Sequence, residues 1–285
     1  MLFKRAPAPP QPFAGTVALT GANGAVARLI APFLAPRVAR FRLVDRDMPD
    51  DVRGLYAGQE PPAWVCGDLA DPAVAAAAVA GADAVVHCAA VSTEAPFDEL
   101  LPANIQAVAN LFAAAQAAKV GRLVLASSMH VMGFYDRATP IDESMPPRPD
   151  SFYAVTKLFA ENLGALYAEK AAMAVTALRL GHVCAAEGVP EPGNHIAPED
   201  VATLILKALE RTASGFIVVH AAATPAGGPA VSERRFLPDS AFTTPRESKA
   251  AGETRLRAWW GDKPLALAKR GGIFAAMKLP PLRKG

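Results

Sequence analysis

The chain has 285 residues, 52% of them hydrophobic, and 29 Lys and Arg stand against 27 Asp and Glu for a formal charge of +2. That length holds one large α/β domain with an ample core, while the near-neutral balance, with basic clusters confined to short pairs such as Lys4-Arg5 and Arg283-Lys284, excludes a nucleic-acid-binding stripe. The longest apolar region, Ala73 to Val91, is interrupted by Asp83 and His87, which excludes a membrane span; the unevenly spaced Cys66, Cys88 and Cys184 form no metal-ligand motif and fit a reducing, cytoplasmic setting.

Residues 1–14 are Pro-rich and carry no apolar signal core, so they read as a disordered or surface-draped arm. Order is expected from Gly15. A short apolar strand, Thr16 to Thr20, runs into Gly21-Ala22-Asn23-Gly24-Ala25-Val26-Ala27, which opens a helical pattern through Leu34. A glycine turn between a strand and a helix lets backbone amides approach a pyrophosphate at the positive helix end. Gly21 permits the turn, Gly24 the close approach, and Asn23, Ala25 and Val26 supply the remaining backbone of the cradle. The third small position is Ala27, whose task is helix-to-strand packing.

A second strand, Arg40 to Val44, ends in Asp45, where a carboxylate can hold both ribose hydroxyls of an adenosine and repel a 2′-phosphate. NAD is therefore expected over NADP, although Arg46 is placed to accommodate that phosphate. Ala63 to Leu69 gives a third strand and a turn in which Asp68 and Leu69 reach the adenine edge. Asp71 and Pro72 start a helix over Ala73 to Ala80 as N-cap and first residue. The fourth strand, Ala82 to Ala90, ends in Cys88, Ala89 and Ala90, small enough not to obstruct a dinucleotide, and its His87 reads as a core histidine.

Phe97 to Ala118 is a long helix containing Asn104, and the strand Arg122 to Ala126 delivers Ser127 and Ser128. A helix from Ser151 to Lys170 places Tyr153 and Lys157 on one face, so a phenol and an ammonium can share a cleft. The phenol's ordinary pKa, near 10, is too high for a base at neutral pH, and a neighbouring cation favours the phenolate. A serine hydroxyl at a strand end can hold the substrate oxygen during proton transfer. By itself the Tyr-x3-Lys spacing also suits a solvated Lys beside a half-buried Tyr. Alternating strands and helices imply an α/β fold, a Rossmann-like doubly wound parallel sheet with a small C-terminal extension, and Thr20, Asp45, Asp68, Ala89-Ala90 and Ser127-Ser128 all fall at strand ends, where such sheets bind ligands.

Taken together, Thr20-Gly21-x-x-Gly24, Asp45, Gly67-Asp68-Leu69, His87-Cys88-Ala89-Ala90, Asn104, Ser127-Ser128 and Tyr153-x3-Lys157 resemble the extended short-chain dehydrogenase/reductase superfamily over Gly15 to about Glu210. A closer resemblance is to bacterial uronate dehydrogenases, carried by Ala90-Val91-Ser92-Thr93-Glu94-Ala95-Pro96-Phe97, Ala126-Ser127-Ser128-Met129-His130, Arg148-Pro149-Asp150, Glu161-Asn162-Leu163 and Pro190-Glu191-Pro192. It implies oxidation of a sugar-acid hydroxyl, the anomeric one, with NAD. Tyr153 would be the base, Lys157 would sit on the nicotinamide ribose and lower the phenol pKa, and Ser128 would hold the reacting oxygen. Asn104 would hold a water linking Lys157 to bulk. Ser92 and His130 would contact sugar hydroxyls.

The departures fall where substrate is read. Met129 replaces the family's Asn, Gly181-His182 replaces its Gly-Ser, and Ile196 stands where the relatives carry the Arg that pairs with the uronate carboxylate. A buried carboxylate without a cation is costly; His195, His182 or Arg179 are the candidates to compensate, Arg179 having an end-of-strand salt bridge as its other reading. After Ala197 to Arg211, a helix, and Gly215 to His220, a strand, the pattern decays, and Trp259-Trp260 is read as packing on the domain or a second subunit. The expected organisation is an arm at 1–14, an NAD-binding catalytic domain at 15–221 and a C-terminal extension at 222–285 that completes the substrate side or an oligomer contact. The expected partner is a small sugar acid or sugar, with no nucleic acid, membrane or metal, and a homo-oligomer is allowed. Two other readings are a sugar-nucleotide epimerase or dehydratase, disfavoured by Met129 and His130 where dehydratases place acidic residues, and a non-catalytic dinucleotide sensor, which has no need of Ser128, Tyr153 and Lys157.

Overall fold

The structure, a computed structural model, describes residues 13–56, 60–136, 139–184 and 195–222 together with Met277. Its elements run β1 (Phe13–Thr20), α1 (Ala25–Leu34), β2 (Val38–Asp45), α2 (Asp50–Leu55), β3 (Ala63–Cys66), α3 (Pro72–Val79), β4 (Ala84–His87), α4 (Phe97–Leu100), α5 (Ala107–Ala117), β5 (Arg122–Ser128), α6 (Phe152–Ala171), β6 (Ala174–Leu180), β7 (His182–Val183), β8 (His195–Ile196), α7 (Pro198–Glu210) and β9 (Gly215–Ala221). Seven strands pair in the order β3-β2-β1-β4-β5-β6-β9, every pair parallel. This is the Rossmann-like doubly wound sheet expected from the sequence.

Side-chain alternation along the strands builds the two faces. Val17 and Leu19, Phe41 and Leu43, Ala84 and Val86, Val124, and Leu178 join the layer that α1, α2 and α7 cover. Their neighbours Ala18, Val44, Val85, Leu123, Leu125, Val175 and Ala177 join the layer beneath α3, α5 and α6. β1, β4, β5 and β6 thus present apolar residues to both faces, whereas β2 carries Arg40 and Arg42 on one of them. Winding runs one way through β1, β2 and β3 and the other way from β4 onward, and the crevice between β1 and β4 is where such a sheet opens to a ligand.

Several boundaries differ from expectation for local reasons. β1 begins at Phe13, inside the supposed arm: Phe13 pairs with Val38 across an irregularity before Thr16, and Arg40 donates to the Ala14 carbonyl at 3.2 Å. The long helix over Phe97 to Ala117 is interrupted by a π-helical stretch, Leu101–Gln106, that begins beside Pro102; proline cannot donate to the preceding turn, and the Ala107 amide reaches back to the Pro102 carbonyl. β4 stops at His87, so Cys88 to Ala90 form a loop. The two-residue ladder of β7 with β8, His182 opposite His195 and Val183 opposite Ile196, has no signature in the sequence. Residues 185–194, including Pro190 to Asn194, and nearly all of the 222–285 extension, with Trp259 and Trp260, lie outside the described residues. Among the described residues no helix is long and apolar enough to cross a membrane.

Candidate active site

At the β1 carboxyl end the chain turns at Gly21, whose φ of +72° suits a glycine. A Cβ there would meet the Ala89 backbone nitrogen at 2.5 Å, so the turn and the loop after β4 are in backbone contact. The Gly21 amide donates to the Val44 carbonyl at 2.8 Å and the Gly24 amide to the Gly21 carbonyl at 2.9 Å, which aims the start of α1 at the crevice. No acidic residue occupies the first turn of α1, leaving the positive helix end to an anion.

Asp45 closes this cradle from the end of β2. Its carboxylate accepts from the Asn23 amide at 2.9 Å and the Arg46 amide at 2.7 Å. Gly21, Asn23, Gly24, Asp45, Arg46, Asp68, Leu69, Cys88, Ala89 and Ala90 line one cavity of about 260 Å³, which places ten of the predicted cofactor residues around a single space. Of the other predicted cofactor residues, Ala25, Val26, Tyr153 and Lys157 do not line it: Ala25 is the first residue of α1, Val26 packs towards the core, and Tyr153 and Lys157 stand on α6. Asp68 is exposed and accepts from the Ala70 amide at 2.9 Å. Cys88 is half-buried, and desolvation pushes its thiol up to about 11.

Across the crevice, β5 ends in Ser127 and Ser128, and α6 presents Tyr153 and Lys157 against that end. All four are buried. Ser151 caps α6 by accepting from the Ala154 amide at 3.1 Å, and the Ser128 hydroxyl is near enough to the Tyr153 phenol to favour its ionisation. The Lys157 ammonium donates to the Ala126 carbonyl at 2.9 Å and lies 5.6 Å from the Tyr153 ring centroid. The electrostatics depart from the simple expectation that Lys157 lowers the phenol. Burial dominates and pushes the Tyr153 phenol up to about 12, with Ser128 opposing the rise and the Asp150 carboxylate adding to it. Burial also pulls Lys157 down to about 8, against the pull of Cys88 and Glu161. Low-dielectric surroundings disfavour both charged forms, so a phenolate here needs additional positive charge in the cleft.

Asn104 is buried and joined to two elements. Its amide nitrogen donates to the Val91 carbonyl and to Thr156 Oγ1, each at 3.0 Å, and its oxygen accepts from the Val91 amide at 2.8 Å. It clamps the loop after β4 to α6. His87 is fully buried, its Nδ1 2.7 Å from Thr20 Oγ1, and burial drives its pKa down to about 3, as befits a neutral core histidine.

The predicted substrate residues differ in their exposure. Ser128, Met129 and His130 follow one another on the turn after β5; Met129 is buried with Val131, Met132 and Tyr135. Ser92 is exposed on the loop after β4. His182 is exposed, whereas its ladder partner His195 is buried, and Ile196 is wholly buried in the layer with Leu178 and Leu180. Arg179 takes the salt-bridge reading: its guanidinium grips both Glu161 oxygens at 3.0 and 2.8 Å and touches the His220 ring at 3.2 Å.

Sequence reasoning missed several working residues. Glu94 accepts from the Phe152 and Tyr153 amides at 3.1 and 3.0 Å, a carboxylate seated on the first turn of α6. Glu161 also accepts from Ser127 Oγ at 2.6 Å, and Asp150 lies 2.9 Å from His130 Nδ1. The available signal was acidic residues in otherwise apolar or tightly turned stretches.

The model of the NAD dependent epimerase/dehydratase family matches residues 17–222. The chain is 34% identical over 209 residues to the uronate dehydrogenase of Pseudomonas syringae pv. tomato, covering 71% of this chain and 72% of that one. It is also 34% identical over 188 residues to an L-arabinose 1-dehydrogenase (NAD(P)(+)) of Haloferax volcanii, covering 61% and 70%. Among solved structures, a variant of the uronate dehydrogenase of Agrobacterium tumefaciens complexed with NAD superposes with a TM-score of 0.74 at 27% identity, covering 93% of this chain and 98% of that one.

Proposed function

The chain belongs to the NAD dependent epimerase/dehydratase family, and from that premise we propose that it is an NAD-dependent dehydrogenase that oxidises a hydroxyl, the anomeric one, of a sugar acid or related sugar. The observation that carries this reading is the convergence of Ser128, Tyr153 and Lys157 at the end of β5, across the crevice from the cradle around Gly21. The relatives named above point the same way.

The residues present fit a dinucleotide. A Cβ at Gly21 would fill the cradle, the α1 terminus is clear of acid, and Asp45 stands where a ribose diol would lie. Bound NAD would supply the hydride acceptor and the positive charge of its nicotinamide ring. This chain's own residues then do the rest. Ser128 holds the substrate oxygen and Tyr153 takes its proton; Lys157, protonated below about 8, adds cationic charge on the same face of α6. The enclosed site aligns the reacting groups.

Substrate class is the finer part of the proposal. Ile196 brings no charge and Arg179 is committed to Glu161, so among the expected carboxylate partners the histidines His182 and His195 remain. This favours neutral aldoses at least as strongly as uronates. The test is a panel of aldoses, hexuronic acids and polyols with NAD and with NADP, followed by absorbance of the reduced cofactor. Reduction of NAD by an aldose or uronate is expected, with the lactone as the first product. A panel in which no sugar reduces either cofactor, or turnover without net reduction as in an epimerase, overturns the proposal.

A further inference from the structure

The Asp150 side chain has no exposed surface, and both of its oxygens are engaged. Oδ1 accepts from the Ser151 hydroxyl at 2.9 Å, and Oδ2 lies 2.9 Å from His130 Nδ1. The turn after β5 is pressed onto this carboxylate, for a Cβ at Gly133 would meet Oδ2 at 1.8 Å. His130 in turn stands edge-on to the Tyr153 ring, with centroids 6.2 Å apart at 74°, and keeps a quarter of its side chain exposed. A carboxylate can only accept, so the proton between the two residues sits on Nδ1.

We propose that Asp150 is a positioning residue that holds His130 in the Nδ1–H tautomer and fixes its partly exposed ring at the edge of Tyr153, where substrate meets it. The proposal rests on the dehydrogenase reading for its substrate, though not for its tautomer. A second consequence follows from charge. The groups facing the phenol are Ser128 from β5, Lys157 from its own helix, His130 from the turn after β5 and the Asp150 carboxylate before α6. Asp150 is the anion among them, and it makes the phenolate harder to form. Asp150 therefore aids substrate positioning and opposes ionisation of the base, two effects of opposite sign that a merely structural residue would not combine.

Histidine labelled with ¹⁵N in the ligand-free protein, at a pH where the imidazole is neutral, reads the tautomer directly, with His130→Asn identifying the signal. Nδ1–H is expected; an Nε2–H tautomer in the unmodified protein overturns the proposal without any variant or substrate. In turnover assays Asp150→Asn is expected to raise the sugar KM about tenfold with a smaller change in kcat, and to move the acid limb of kcat/KM down by about one pH unit. His130→Asn is expected to raise KM similarly and leave the limb in place, and the double variant to have a KM no higher than His130→Asn. An unmoved limb in Asp150→Asn, or additive KM effects in the double variant, overturns it. Should no sugar be oxidised, the function reading fails and the tautomer measurement still decides this one.

Discussion

The two halves of the sheet end are built in different ways. Around β1, β2 and β3 the cradle is backbone and open: glycine turns, amides, an α1 terminus, and the partly exposed Asp45 and exposed Asp68. Around β5, β6 and β9 the same layer of strand ends is closed and built from side chains, with Ser127, Ser128, Tyr153, Lys157, Glu161, Arg179 and His220 all buried. A dinucleotide recognised through backbone contacts needs chain shape, whereas proton transfer needs charges whose affinities are tuned by desolvation. The division predicts that damage to one half leaves the other intact. Tyr153→Phe keeps the ring and removes the phenol oxygen, so kcat is expected to fall about a thousandfold while NAD affinity holds within about twofold. Steady-state kinetics and calorimetric NAD titration read the two quantities. A parallel loss of NAD binding would break the comparison.

Stability should divide along the same line. Arg179 and Glu161 form a two-pronged pair with side chains 4% and 5% exposed, joining β6 to α6 beneath Ser127. Arg179→Met strands a buried carboxylate, and a loss of about 3–5 kcal/mol is expected from denaturant unfolding. On the open half, Arg28 pairs with Asp51 where the side chains are 36% and 60% exposed. Arg28→Met should cost under about 1 kcal/mol. Similar losses at the two sites would show that burial is not what distinguishes the halves.

The contrast also explains what could be read in the sequence. Gly21, Gly24 and the small residues Ala89 and Ala90 were legible because each acts through local backbone geometry at a strand end, Asp45 because its carboxylate follows directly on a strand, and the alternation of strands with helices sufficed to place those ends along one edge of a parallel sheet. Ser128, Tyr153 and Lys157 were legible through helical spacing and strand position. Glu161 with Arg179, Asp150 with His130, and Glu94 with the α6 amides were not, because each pairing depends on how separate elements pack, and a lone acidic residue carries no mark of its partner. Helical spacing placed Lys157 beside the phenol and says nothing of the desolvation that pushes the phenol up. β7 and β8, only two residues each, are too short to leave any periodicity.

The loop after β4 belongs to both halves. Ala89 and Ala90 line the open cavity, Val91 is held by Asn104 to Thr156 of α6, and Glu94 receives the Phe152 and Tyr153 amides. A carboxylate at a helix N-terminus is stabilised by the helix dipole and by otherwise unpaired amides. Glu94→Gln keeps an acceptor and loses the charge, so about 0.5–1 kcal/mol of stability should go. Because the lost contact is on the backbone of Tyr153 itself, kcat is expected to fall about threefold to tenfold as the phenol loses its setting against Ser128. NAD affinity should change less than kcat, since Gly21 still meets Ala89 and Asn104 still holds Val91. If NAD binding weakens as much as turnover does, the loop transmits between the halves, and the cradle and the proton-transfer site are one unit after all.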